Sequence, residues 1–215
     1  MKTCATLLIL FLTFTSLSFA QMQLGLKAGL NIANVGGSDA DYLVDEDVSI
    51  SLDSRTGFEA GIFFMYQFSK MFALQPEIYF SMKGATYSEN GGELTLSLDY
   101  TEIPLLFKLL IPIEGSGVRP AVFVGPSIGI NTTSNVKAEV DGETILDMDL
   151  KDETASTEFC LVFGGGVGFP VGTNELGVEI RYILGLTTWD DNSEDPLDIT
   201  NNVLNFNVYY GFNLP

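Results

Sequence analysis

The chain has 215 residues, 46% of them hydrophobic, with ten Lys and Arg against 28 Asp and Glu and no histidine, for a formal net charge of −18. So acidic a chain is repelled by phosphate backbones, which excludes nucleic acid as a partner. The missing histidine removes the commonest general base and a common metal ligand, and the length suits one domain.

Residues 1–20 read as a cleaved signal peptide: Lys2 supplies the positive start, Ala5 to Phe14 the apolar stretch, and Ser18-Phe19-Ala20 the small-x-small cleavage site. Too short and too interrupted by Thr and Ser to span a bilayer, the segment is not a membrane anchor. Cutting after Ala20 leaves 21–215 as the domain and, with Lys2 gone, moves the charge from −18 to −19. Cys4 lies inside the apolar stretch, so no lipid-anchored cysteine is expected at the cleavage point. Only Cys160 stays, which rules out an intramolecular disulfide in a compartment that would permit one. Beyond residue 20 no apolar run reaches 18 residues, and the richest, Ile103 to Ile113, is broken by Lys108. Helical spans are excluded, and entry into a bilayer requires a closed barrel.

A period of two predicts eight strands. The first sets Leu24, Leu26, Ala28, Leu30 and Ile32 against Gly25, Lys27, Gly29 and Asn31. In the second, Phe58 to Phe68 on even positions oppose Glu59, Gly61, Phe63, Met65 and Gln67; in the third, Phe72 to Met82 oppose Ala73 to Lys83. The fourth changes parity, with Leu94, Leu96, Leu98 and Tyr100 even but Ile103, Leu105, Phe107 and Leu109 odd, so a bulge is expected near Tyr100 to Glu102. Val122 to Ile130 oppose Arg119, Ala121, Phe123 and Asn131 in the fifth, and Phe159 to Phe169 oppose Cys160, Val162 and glycines in the sixth. The seventh sets Leu176 to Leu186 against Gly177, Glu179, Arg181 and Ile183, and the eighth sets Leu204 to Phe212 against Asn205, Asn207, Tyr209 and Gly211. Short turns at Ser69-Lys70, Glu114 to Gly117 and Gly172 to Asn174 alternate with longer links at Val35–Arg55, Ser88–Glu93, Thr132–Glu158 and Thr187–Asn202. Even strand number and alternating link length are the outer-membrane pattern, with both termini on the periplasmic side.

Polarity then sets which face is inside. The bulky apolar face carries an aromatic girdle at Phe58, Phe68, Phe72, Tyr182, Tyr210 and Phe212, while the other carries Lys27, Glu59, Glu77, Lys83, Glu102, Lys108, Arg119, Glu179 and Arg181. A solvated face on so acidic a protein would be mostly acidic, whereas a confined interior has to be nearly neutral, because unpaired buried charge is costly. The nine charged residues are therefore expected to form a lumen charge network. The predicted architecture is all-β: an eight-stranded antiparallel up-and-down transmembrane β-barrel.

The residues also resemble the outer-membrane β-barrel domain family, or "porin family protein", of Gram-negative bacteria. The likeness rests on Gly25-Leu-Lys-Ala-Gly-Leu-Asn31, Thr56-Gly-Phe-Glu-Ala-Gly61, Leu74-Gln-Pro-Glu-Ile-Tyr-Phe-Ser-Met-Lys-Gly84 and Tyr100-Thr-Glu-Ile-Pro-Leu-Leu-Phe-Lys108. Gly125-Pro126, the glycines of 164–168, Arg181-Tyr182 and Gly185-Leu186 complete it. The resemblance implies an outer-membrane barrel of about this strand number and no common substrate. Such barrels usually end on an aromatic, whereas here the chain runs past Phe212 to Asn213-Leu214-Pro215.

Three candidate sites have competing readings. Asp39, Asp41, Asp45, Glu46 and Asp47, then Glu139, Asp141, Glu143, Asp147, Asp149, Asp152 and Glu153, then Asp190, Asp191, Glu194, Asp195 and Asp198 crowd three links. Their density suits Ca²⁺, but none fits the twelve-residue calcium loop, and solvated acidic loops on an exported surface are the favoured reading, with an extracellular ligand as the alternative use of the same loops. Glu59, Glu77, Glu102 and Glu179 each have basic company, so paired acid–base catalysis is not expected. Gly164, Gly165, Gly166 and Gly168 lie mid-strand with no following helix, which excludes a phosphate loop and any cofactor built on one. The expectation is a monomeric, lipid-embedded barrel of the cell outer membrane, not an enzyme, with a structural or surface-interaction role and a lumen closed by side chains. The alternatives are a narrow channel for ions or small solutes and, behind it, a soluble lipocalin-like carrier.

Overall fold

A computed structural model describes residues 21–38, 53–89, 91–190 and 197–215. Residues 1–20, expected from the sequence to be a signal peptide, the first acidic group at 39–47, and Asp191, Glu194 and Asp195 lie outside the described residues. Among the described residues nine strands occur in order: β1 (Gln21–Gly36), β2 (Asp53–Gln67), β3 (Phe72–Glu89), β4 (Gly92–Leu110), β5 (Arg119–Val140), β6 (Glu143–Asp149), β7 (Thr157–Val171), β8 (Asn174–Gly185) and β9 (Thr200–Leu214). One short 3₁₀ turn (Lys151–Glu153) lies between β6 and β7.

Eight of the strands close an antiparallel ring. Each pairs with the next through β5, which pairs with β7, and β9 returns to β1 with Met22 opposite Leu214. Closure removes every sheet edge from the wall, the condition for crossing lipid with strands. The expected eight-stranded up-and-down barrel is what forms, with β6 as an addition outside the ring.

The faces fall as the alternation requires. Leu26, Leu30, Phe58, Val122, Ile180 and Val208 stand 48–60% exposed on the outer wall. Such a continuous apolar surface suits hydrocarbon and not water. Phe68, Phe72 and Phe107 cluster with ring centroids 5.7–6.4 Å apart at the end carrying the chain termini, and Tyr210 stacks edgewise on Phe212 at 4.9 Å near the same rim.

The fourth segment corrects the sequence reading. No parity change occurs on β4: Leu98, Tyr100, Glu102, Leu106, Lys108 and Leu110 all point inward. The bulge lies on the partner strand, where Asp99 faces Thr133 while Tyr100 faces Asn131, which leaves Thr132 as the extra residue of β5. Thr132 and Thr133 are both exposed, and the inward set passes from odd positions to Ser134. Leu98 and Tyr100 look lipid-facing in sequence because they are apolar, yet they fill the barrel mouth.

Two links also shrink. β3 and β4 run on to Glu89 and from Gly92, and β5 extends to Val140 before turning into β6. Asp141 and Gly142 carry φ of 53° and 82°, the left-handed pair that a two-residue hairpin turn needs. Much of the span read as a loop over 132–158 is thus a sheet extension, β3–β4–β5–β6, standing beyond the wall at the end opposite the termini.

Candidate functional site

The lumen holds two buried charge clusters. The first is built around Arg181 of β8. Its guanidinium donates to Glu77 of β3 at 2.9 and 3.3 Å and to Glu179 of its own strand at 2.6 Å. Lys27 of β1 reaches Glu77 at 2.6 Å and Glu179 at 3.4 Å, and Lys108 of β4 reaches Glu179 at 2.8 Å. Gln75 joins by donating to Glu77 at 2.6 Å and accepting from Lys108 at 3.1 Å. Glu59, 1% exposed, lies beside Arg181, Lys27 and Asn207, and among the described residues its carboxylate makes no direct salt bridge. With it the cluster balances three cations against three acids.

Room for these long side chains comes from glycines on adjacent strands. A Cβ on Gly166 would sit 2.7 Å from Glu179 Cγ, and one on Gly177 would sit 2.2 Å from Tyr209 Cζ. The glycine-rich stretch of β7 is thus part of the wall that makes lumen packing possible.

The second cluster surrounds Lys83 of β3, which is fully buried. Its ammonium pairs with Glu102 of β4 at 2.5 Å and Glu158 of β7 at 3.3 Å, and lies 4.8 Å from the Tyr100 ring centre. Ser127 Oγ donates to Glu102 at 2.5 Å, while Asn201 Nδ2 and the Cys160 thiol each donate to Glu158 at 3.0 Å. One lysine therefore faces two carboxylates.

The expected set of nine does not form one network. Lys27, Glu77, Lys108, Glu179 and Arg181 are joined directly, with Glu59 beside them, whereas Lys83 and Glu102 belong to the separate cluster. Arg119 pairs with Glu175, outside the expected set, and its Nε–H donates to that carboxylate at 2.5 Å. Glu158 and Glu175 were missed because each stands one residue before the start assigned to its segment; continuing the alternation by one step would have found both. Arg55 and Asp99, paired at 2.9 Å near the opposite mouth, were also missed.

Apolar bands lie between and beyond the clusters, the middle one shared with buried Asn31, Ser81 and Asn205, which are hydrogen-bonded at 3.0 and 2.5 Å. Along β4 from the mouth, the inward side chains read Leu98 and Tyr100, then Glu102, then Leu106, then Lys108, then Leu110; β3 repeats the order with Ala85, Lys83, Tyr79, Glu77 and Ala73. The mouth band adds Val35, Trp189 and Ile199, the middle band Phe123, Cys160, Val162, Ile183 and Val203, and the last Phe63, Met65 and Tyr209.

Beyond the mouth the chemistry is open and acidic. Lys137 pairs with Glu139 at 2.5 Å on the exposed extension, and this hydrogen bond holds the Glu139 carboxyl below its usual value and raises Lys137. Asp147 accepts from Asn135 at 3.2 Å, and Asp149 accepts from the Lys151 amide at 2.8 Å. Among the described residues, no three carboxylates or thiols come together as a metal site.

A closed wall that is apolar outside and charged inside defines a transmembrane barrel of an outer membrane. The sequence matches the family described as outer membrane protein beta-barrel domain over residues 19–191, and the chain belongs to that family. No curated protein matches it. Among solved structures, it is similar to Ail, the attachment invasion locus protein of Yersinia pestis, with 14% identity over 88% of this chain and 98% of that one and a TM-score of 0.42. Neisserial surface protein A shares 13% identity over 88% and 97%, with a TM-score of 0.48. The N-terminal barrel domain of OprF from Pseudomonas aeruginosa shares 10% identity over 90% and 99%, with a TM-score of 0.40.

Proposed function

We propose that the protein is a closed outer-membrane barrel whose role is structural or surface-interactive, seated at the end bearing the sheet extension and not in the lumen. The observation that carries this reading is the banding. Two charge clusters lie between three bands of packed apolar side chains, and the hydrogen-bonded Asn31, Ser81 and Asn205 fill the gap left in the middle band, so a hydrated solute meets packed side chains at each level. An eight-stranded interior is about wide enough for side chains alone. The charge clusters act as internal ties across the barrel, joining β1, β3, β4 and β8 in one case and β3, β4, β5 and β7 in the other. The polar groups that remain for contact with the surroundings stand on the extension and its acidic turns. Purified chain 21–215 inserted into planar bilayers tests the reading: no steady conductance is expected, and a reproducible open pore would replace it with the narrow-channel alternative.

A further inference from the structure

We propose that the free edge of β6 takes up an extended peptide as an added strand, selecting chains in which apolar residues alternate with Lys or Arg. The inference rests on the reading above, that contact is made at the end bearing the extension.

Among the described residues β6 pairs with β5 and with nothing else, and all seven of its residues are exposed. No described residue pairs with its other edge, whose backbone donors and acceptors form a template for another strand. A bulge at Ile145, where Ala138 faces Leu146 but Glu139 faces Thr144, confines the regular edge to Leu146–Asp149. The added segment is therefore short, and Ile145, 66% exposed, is left as an apolar anchor at its end.

Alternation specifies the partner. Leu146 and Met148 continue the row of Ala138 and Val136 on the side that overlooks the mouth, and are 40% and 49% exposed. Asp147 and Asp149 point the other way, onto a recess of about 410 Å³ shared with Thr133, Asn135 and Lys151. A neighbouring strand places successive side chains on these same two sides. It meets apolar surface on one and carboxylates on the other, so the complementary strand alternates apolar with basic. A second copy of β6 does not fit: antiparallel pairing centred on Leu146 sets Glu143 against Asp149, and centred on Met148 it sets Asp147 against Asp149. Like charges directly opposite destabilise a strand pair, here between two chains of charge −18 each.

The test uses chain 21–215 in zwitterionic phosphatidylcholine nanodiscs, with empty discs as control. Labelled octapeptides of alternating Lys and Val, or Glu and Val, are titrated by fluorescence anisotropy. The Lys–Val peptide is expected to bind about tenfold or more tighter than the Glu–Val one, and to slow amide exchange within 143–149. The paired variant Asp147→Lys, Asp149→Lys should reverse the preference, a gain that a misfolded protein cannot give. Equal binding of the two peptides, no binding, or no slowing at 143–149 would overturn the edge assignment while leaving the closed barrel standing. A conducting barrel would overturn the closed-lumen reading whatever the peptides do.

Discussion

β4 and β5 each run through two environments, and the same alternation means different things in each. Inside the wall, alternate residues are buried and charge is balanced to within one unit: five expected cations and Arg55 face the six buried glutamates and Asp99. Beyond the wall, the opposite side chains of the extension meet water, and acids outnumber bases freely. The contrast teaches that confinement, not composition, sets the charge balance. A carboxylate in the lumen needs a cation within reach because its desolvation is not otherwise offset, whereas one on the extension is solvated and needs none.

The largest effect should come from breaking the balanced cluster. Arg181→Ala leaves Glu77 and Glu179 with Lys27 and Lys108 only, and Glu59 without its guanidinium neighbour; about 3–5 kcal/mol of stability should be lost. Trp189, the only tryptophan and buried in the mouth band, reports the unfolding through its emission in a urea titration. A smaller loss is expected at the unbalanced cluster. Glu158→Gln removes one of two acids facing Lys83 while keeping an acceptor, and should cost about 1 kcal/mol. If it costs as much as Arg181→Ala, the two clusters do not differ in the way their charge counts require.

On the extension, Asp147→Asn and Asp149→Asn should each change stability by no more than about 0.5 kcal/mol in the same titration. The smallest effect is a titration. Because the Lys137 hydrogen bond lowers Glu139 in the folded protein, that pair stabilises above the ordinary carboxylate pKa and its contribution is lost as pH falls through the lowered one. NMR should place the Glu139 midpoint below that of an ordinary glutamate, and Lys137→Ala should return it to the ordinary range.

The ring was legible because lipid on one side and a crowded lumen on the other enforce a strict period of two over each crossing. Legibility ended where that enforcement ends. Leu98 and Tyr100 break the rule that apolar means outward, since they pack with Val35, Trp189 and Ile199 in the mouth, and this moved the bulge to the wrong strand. β6 was hidden because its own bulge at Ile145 interrupts the alternation, although Asp141-Gly142 is a hairpin signal that stands plainly in the sequence. The lumen charges could be assigned to a face, but their division into two clusters could not, because partners such as Lys83 and Glu158 come from strands far apart in the chain.

Cys160 gives the most direct test of the closed lumen. It is the only cysteine of chain 21–215, it is 2% exposed, and it lies in the middle apolar band with its thiol against Glu158. Folded barrels in lipid vesicles are treated with a small charged methanethiosulfonate reagent, and modification is followed by mass. The sealed bands predict no modification of the folded protein and complete modification once it is unfolded in urea. Rapid labelling of Cys160 in the folded barrel would mean that water and solutes pass the bands, and would contradict the account.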